Sequence, residues 1–247
     1  MSYSELSETL TQSLALTQPP IAVCLLDQLP AGVALWTGPA PAGCRFWQEA
    51  ATRLFATQPT DHANCAIGQY THNLAMTPAS EKDLGDALAI FDSLSYVRKQ
   101  DIAAIPVLQS RPQYVVYGPL ALAPAPPDVV LLFVQSGQTL ILSEASWQVE
   151  GGMPPAMGRP ACAVVAQAAN SSRSALSLGC CGARAYLDIL TDDVALYALP
   201  GPKLEELVDR IKALASANTT LSKFHQVRRH AIESGNSPTV MESLAAM

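Results

Sequence analysis

Cysteine is the residue type with the most chemistry to offer in this chain: Cys24, Cys44, Cys65, Cys162, Cys180 and Cys181. Six in 247 residues are too sparse for a disulfide scaffold, so as thiols they serve metal binding, catalysis or packing. Four of them recur in a repeated order. The first half runs through Pro19-Pro20, an apolar stretch from Ile21 to Leu26, Cys44 at the start of a predicted helix, and a polar loop ending Cys65-Ala66-Ile67-Gly68. The second runs through Pro126-Pro127, an apolar stretch from Val129 to Val134, an insertion, Cys162 at another predicted helix start, and a loop ending Gly179-Cys180-Cys181-Gly182. Cys65 follows Cys44 by 21 positions and Cys180 follows Cys162 by 18, which makes the two units comparable without proving duplication. Unpaired amides at a helix start stabilise a thiolate, and glycine-containing loops fold closely around a bound group. Cys44, Cys65, Cys162 and Cys180 are therefore the expected ligands of one [4Fe–4S] cluster or of a structural zinc.

Spacing does not choose between these two, because neither the bacterial ferredoxin run nor a pair of C-x-x-C knuckles is present. Cys24, inside an apolar run, is expected to pack as a small hydrophobe. Cys180-Cys181 has a second reading as a persulfide carrier or redox pair. His62, beside Asp61 and near Cys65, offers a group to orient a ligand or shuttle protons, but it and His72 read first as exposed loop residues, and His225 and His230 miss the four-residue spacing of two ligands on one helix face. Arg45 and Arg184 adjoin the ligand segments, where they either offset cluster charge or cap carbonyls. The common phosphate-loop, dinucleotide, nucleophile-elbow and zinc-protease motifs are absent.

The elements that would position these residues follow from periodicity. Leu6, Leu10 and Leu14 space a first helix over 3–17; Ile21–Leu26 reads as a buried strand with Gly32–Trp36 as its neighbour. A helix is expected from Cys44 through Phe55, a loop over 61–68, a helix from Glu81 and another over 97–104. Tyr114–Tyr117 and Val129–Val134 are strands expected side by side. Further helices are expected over 138–149 and 162–169, with a loop over 151–160 between them, then a strand over 194–199. The best helix starts after Gly201-Pro202, and the tail beyond Asn218 reads as more polar, with a mobile end. The fold class is α+β, a mixed sheet with flanking helices, in which two pseudo-repeated halves form one compact domain. An N-terminal helix (1–18) precedes the domain (19–218, halves about 19–110 and 111–218), and a helical tail (219–247) follows.

Composition bounds the function. With 49% hydrophobic and 15% charged residues, the chain can bury a core, which excludes global disorder. A net charge of −6, with Lys and Arg scattered, argues against nucleic acid. The apolar runs are too short to span a membrane, and the acidic N-terminus lacks the basic start of a secretory signal, so the expected location is cytoplasmic. An Ala-rich, apolar chain is compatible with a homodimer.

Pro19-Pro20-Ile21-Ala22-Val23, Cys44-Arg45-Phe46, Cys65-Ala66-Ile67-Gly68, Tyr117-Gly118-Pro119-Leu120, Asp128-Val129-Val130, Ala161-Cys162-Ala163, Leu199-Pro200 and above all Ser177-Leu178-Gly179-Cys180-Cys181-Gly182-Ala183-Arg184 resemble the domain of unknown function 169 family. The resemblance covers roughly residues 5–215. It implies no established activity, but it marks Cys44, Cys65, Cys162 and Cys180 as recurring positions and leaves Cys24 and Cys181 as incidental.

The leading expectation is a [4Fe–4S] protein acting in electron transfer or small-molecule redox chemistry, with a redox partner protein or a small molecule as its counterpart. Four cysteine ligands would leave no iron open to substrate, and three would leave one, so whether the chain is an enzyme stays open. The alternatives are a sulfur- or metal-handling carrier with reactive thiols, and a cofactor-free interaction module with buried cysteines.

Overall fold

The computed structural model describes residues 1–157 and 160–247. Helix α1 (Tyr3–Leu14) opens with a Ser2/Glu5 capping box and ends at Ala15 in the left-handed conformation. Strand β1 (Ile21–Leu26), helix α2 (Arg45–Ala50), strand β2 (Phe55–Thr57), helix α3 (Ala66–Thr71) and helix α4 (Pro78–Ser93) lead to β3 (Tyr114–Pro119) and β4 (Val129–Val134). Helix α5 (Ser136–Glu150), β5 (Ala156–Met157), α6 (Ala163–Ser171), β6 (Ala175–Ser177) and α7 (Cys181–Tyr186) follow. Strand β7 (Ala195–Pro200), α8 (Leu204–Glu233) and α9 (Val240–Ala245) complete the chain.

The strands form one seven-stranded mixed sheet in the order β2-β3-β1-β4-β7-β6-β5. All pairings are antiparallel except β5 with β6. Outward from the central β1–β4 pair, β3 and β2 lie on one side and β7, β6 and β5 on the other. Ile21 faces Pro119 as Val129 faces Pro200, and Phe55 faces Tyr117 as Ala175 faces Ala198. A parallel bridge from Leu35 to Ala56 on one edge matches the parallel pair Ala156 with Leu176 on the other.

Strand side chains alternate between two apolar layers, as a sheet covered on both faces requires. Ala22, Val130, Leu132, Val134, Tyr197 and Leu199 pack under α1, α5 and the first half of α8. Ile21, Val23, Leu131, Phe133, Val115 and Tyr117 point the other way, against Phe46 and Trp47 of α2 and Val164 and Val165 of α6. That second face carries the cysteines.

Several expectations are corrected. Gly32–Trp36 is not a neighbour of β1; only Leu35 bridges, and to β2. The helix from Cys44 stops at Ala50, because Phe55 turns into β2. Tyr114–Tyr117 and Val129–Val134 share the sheet, but β1 lies between them. Residues 97–104 carry a short 3-10 turn, Lys99–Ala104, instead of a helix. The loop over 151–160 contains β5, and its residues 158 and 159 lie outside the described residues. Helix α8 runs on without a break past Asn218 to Glu233, about 45 Å in all.

Candidate functional site

Cys44, Cys65, Cys162 and Cys180 are the N-cap residues of α2, α3, α6 and α7. For Cys44 and Cys162 a helix start was expected; Cys65 and Cys180 were placed in loops, but each opens a short helix as well. The four come from both sides of the β1–β4 seam and line a single cavity of about 460 Å³. Its far wall is apolar, formed by Ala87, Leu88 and Phe91 of α4 with Val97 and Ile105 beyond it.

The thiols feel one another. Burial, and after it the neighbouring Cys65 and Cys180, push Cys44 up to about 12. Burial raises Cys162 well above the usual thiol range; Cys65, Cys180 and Cys44 add to the rise. The Thr71 hydroxyl, 3.2 Å from Cys162 Sγ, donates to it and opposes that rise. The Ala183 amide points at Cys180 Sγ across 3.5 Å. Beneath the thiols lies Tyr117, buried in an aromatic cluster with Phe46 at 5.7 Å and Phe55 at 5.9 Å. Burial drives its phenol upward, with Cys162, Cys65 and Cys44 contributing.

Close packing holds Cys65 in place. Gly68 lies one turn into α3, and a Cβ there would meet Cys65 Sγ at 2.9 Å. Gly179, before Cys180, has φ +86°, a conformation that glycine adopts without steric cost. The Arg184 guanidinium folds over it and donates to the carbonyls of Leu178, Leu190 and Thr191. Arg184 thus ties down the loop entering Cys180, which is the carbonyl-capping reading. Arg45 points away from the cavity, paired with Glu49 at 3.1 Å.

His62 and His72 were expected to be exposed loop residues; they are 2% and 3% exposed and line the cavity. Tertiary packing buries them: His62 lies 4.8 Å from the Phe46 ring, and the two imidazole centroids are 6.3 Å apart. The Asp61-His62 pair gave no periodic signal, and a polar side chain in a short segment reads as exposed unless long-range contacts are known. Burial lowers His62 to about 3 and His72 to about 4, so both are neutral at physiological pH. Cys24 is buried with Val33, Ala56 and Val116, as a packing cysteine should be. Cys181 is exposed at the cavity mouth.

Among the described residues, no three His, Cys, Asp or Glu side chains lie close enough to hold one metal ion. Also among them, no helix is long and apolar enough to cross a membrane. The family described as uncharacterised ArCR, domain of unknown function 169, matches residues 9–210. The chain belongs to this family. No curated protein and no solved structure matches the chain. For this member of the domain of unknown function 169 family, the site residues therefore carry the functional argument.

Proposed function

We propose that the protein binds one [4Fe–4S] cluster through Cys44, Cys65, Cys162 and Cys180 and uses it in electron transfer or small-molecule redox chemistry. The observation that carries this reading is the arrival of four thiols, each at a helix start, in one cavity from both sides of the β1–β4 seam. The donor set suits the cluster, which is held by four cysteine thiolates.

When bound, the cluster would supply a one-electron couple. The residues of the chain do the rest. The backbone N–H groups of Cys44 and Arg45 toward Cys44, and of Ala183 toward Cys180, offset thiolate charge. Thr71 donates toward Cys162, and the apolar wall from α4 limits water around the site. Burial that raises the thiols of Cys44 and Cys162 opposes their ionisation until a cation is present, so loading releases protons.

The test is a serine replacement in each half. Cys44→Ser and Cys162→Ser should each lower cluster content and change the electron paramagnetic resonance spectrum of the reduced protein. If either variant retained full content and an unchanged spectrum, a ligand set drawn from both halves would be excluded. The exposed Cys181 beside Cys180 favours a second reading, a sulfur carrier. That reading calls for a colourless protein whose thiols are alkylated rapidly.

A further inference from the structure

Hydrogen bonding fixes the proton on both buried imidazoles. Thr57 Oγ1 donates to the Val115 carbonyl at 3.1 Å, so at 2.9 Å it accepts from His62, which places the proton on Nε2. His72 Nδ1 lies 3.1 Å from the Gly68 carbonyl, which can only accept, so Nδ1 bears the proton there. His62 Nδ1 and His72 Nε2 are therefore lone pairs, and among the described residues both are buried without a hydrogen-bond partner. Buried acceptors of this kind are costly unless something donates to them. A cleared space lies in front of one: at Gly43 a Cβ would stand 3.1 Å from His62 Nδ1. Much of the remaining lining is apolar, with Leu88, Phe91 and Ile67 facing the same cavity, and Asn64, Asp83, Tyr96, Tyr186 and the cysteines add polar groups.

We infer that this cavity receives a small, mostly apolar molecule ending in a hydroxyl or N–H group, with His62 Nδ1, the lone pair that faces the Gly43 gap, accepting from that group and α4 covering its body. An apolar pocket with a few convergent polar atoms is the usual form of a small-molecule site. The inference rests on the cluster reading only for what the ligand would meet at the cysteine floor; the imidazole pair stands without it. A metal ion is disfavoured as the occupant, because among the described residues no third ligand joins the two imidazoles.

Phenol and anisole, which differ by the donor hydrogen, are the probes, titrated into the full-length protein as purified, with iron and sulfide assayed on the same preparation. Phenol should bind at least about 10-fold more tightly than anisole, because only phenol donates to the His62 lone pair. In protein labelled with nitrogen-15 at histidine, the unprotonated Nδ1 of His62 should shift with phenol and not with anisole. His62→Phe should remove most of the preference. Gly43→Ala, whose backbone lies outside the left-handed region, should weaken phenol while leaving the His62 tautomer unchanged, which covers the case in which a histidine variant fails to fold. Equal affinity for the two probes, binding of neither, or titration of both imidazoles by zinc ion with no response to phenol would overturn the inference. Phenol selectivity in a preparation free of iron and sulfide would uphold it while removing the cluster.

Discussion

Replacing Gly68 with alanine separates a ligand role for Cys65 from a packing role. The added methyl would lie 2.9 Å from Cys65 Sγ and 3.6 Å from Cys65 Cβ. Comfortable contact begins near 3.5 Å, so the thiol must retreat by about 0.6 Å or α3 must shift. Alanine inside a helix is favoured over glycine by about 0.5–1 kcal/mol. Overpacking costs about 1–3 kcal/mol, so the net loss of folding stability is about 2.5 kcal/mol or less. In a chain of this size that lowers Tm by no more than about 10 °C. Ligand sites tolerate displacements of only about 0.5 Å, so cluster binding should suffer far more than folding. Thermal denaturation and iron and sulfide assays on the same samples read both effects. The expected result is a folded protein with less than about half the normal cluster content, since one ligand position exceeds that tolerance. Full content with an unchanged absorption spectrum would refute the placement of Cys65 among the ligands.

Stability should depend on pH at both ends. His62 and His72 have folded pKa values near 3 and 4, below the unfolded value of 6.5, so their contribution is full above pH 6.5 and is lost as pH falls through these values. The loss reaches about 2 kcal/mol per histidine by pH 5, and denaturant titrations of wild type and His62→Phe should show the variant with the flatter acid limb. Cys24 and Cys44, raised from 9 to about 12, act in the opposite sense: in cluster-free protein their contribution is full below pH 9 and is lost as pH climbs toward 12. Thr71→Val removes the hydroxyl that favours the Cys162 thiolate, so mass-spectrometric alkylation of Cys162 at a fixed pH should slow. Gly201→Ala would place a Cβ 1.6 Å from the Pro127 carbonyl oxygen, against the backbone at the start of β4. It should cost more than about 3 kcal/mol of stability by chemical denaturation.

Much of the scaffold was legible in the sequence. Ile21–Leu26 and Val129–Val134 match β1 and β4 residue for residue, because strands covered on both faces are written as unbroken apolar runs. Cys44 and Cys162 were placed at helix starts by the apolar spacing that follows them. What escaped was short or non-local. β2 and β6 have three residues each, too few for a period to register. Six-residue helices such as α3 and α7 give no repeat, so Cys65 and Cys180 read as loop residues. The position of β1 between β3 and β4 depends on pairings about a hundred residues apart in sequence. The second half of α8 carries few buried residues, Phe224 among them, so its helix lacks the apolar stripe that marks the first half. His62 and His72 were misread for a different reason. Their burial comes from Phe46, Thr57 and the Val115 carbonyl behind them, none of which sequence neighbourhood discloses.

The most direct measurement is anaerobic purification of the full-length protein, followed by iron and acid-labile sulfide analysis with an absorption spectrum before and after reduction. Binding through Cys44, Cys65, Cys162 and Cys180 predicts iron and sulfide in equal amounts, at one cluster per chain, and a visible band that bleaches on reduction. A preparation with neither iron nor sulfide, even after anaerobic reconstitution, would contradict the cluster; zinc in its place would keep four thiolates together and remove the redox role.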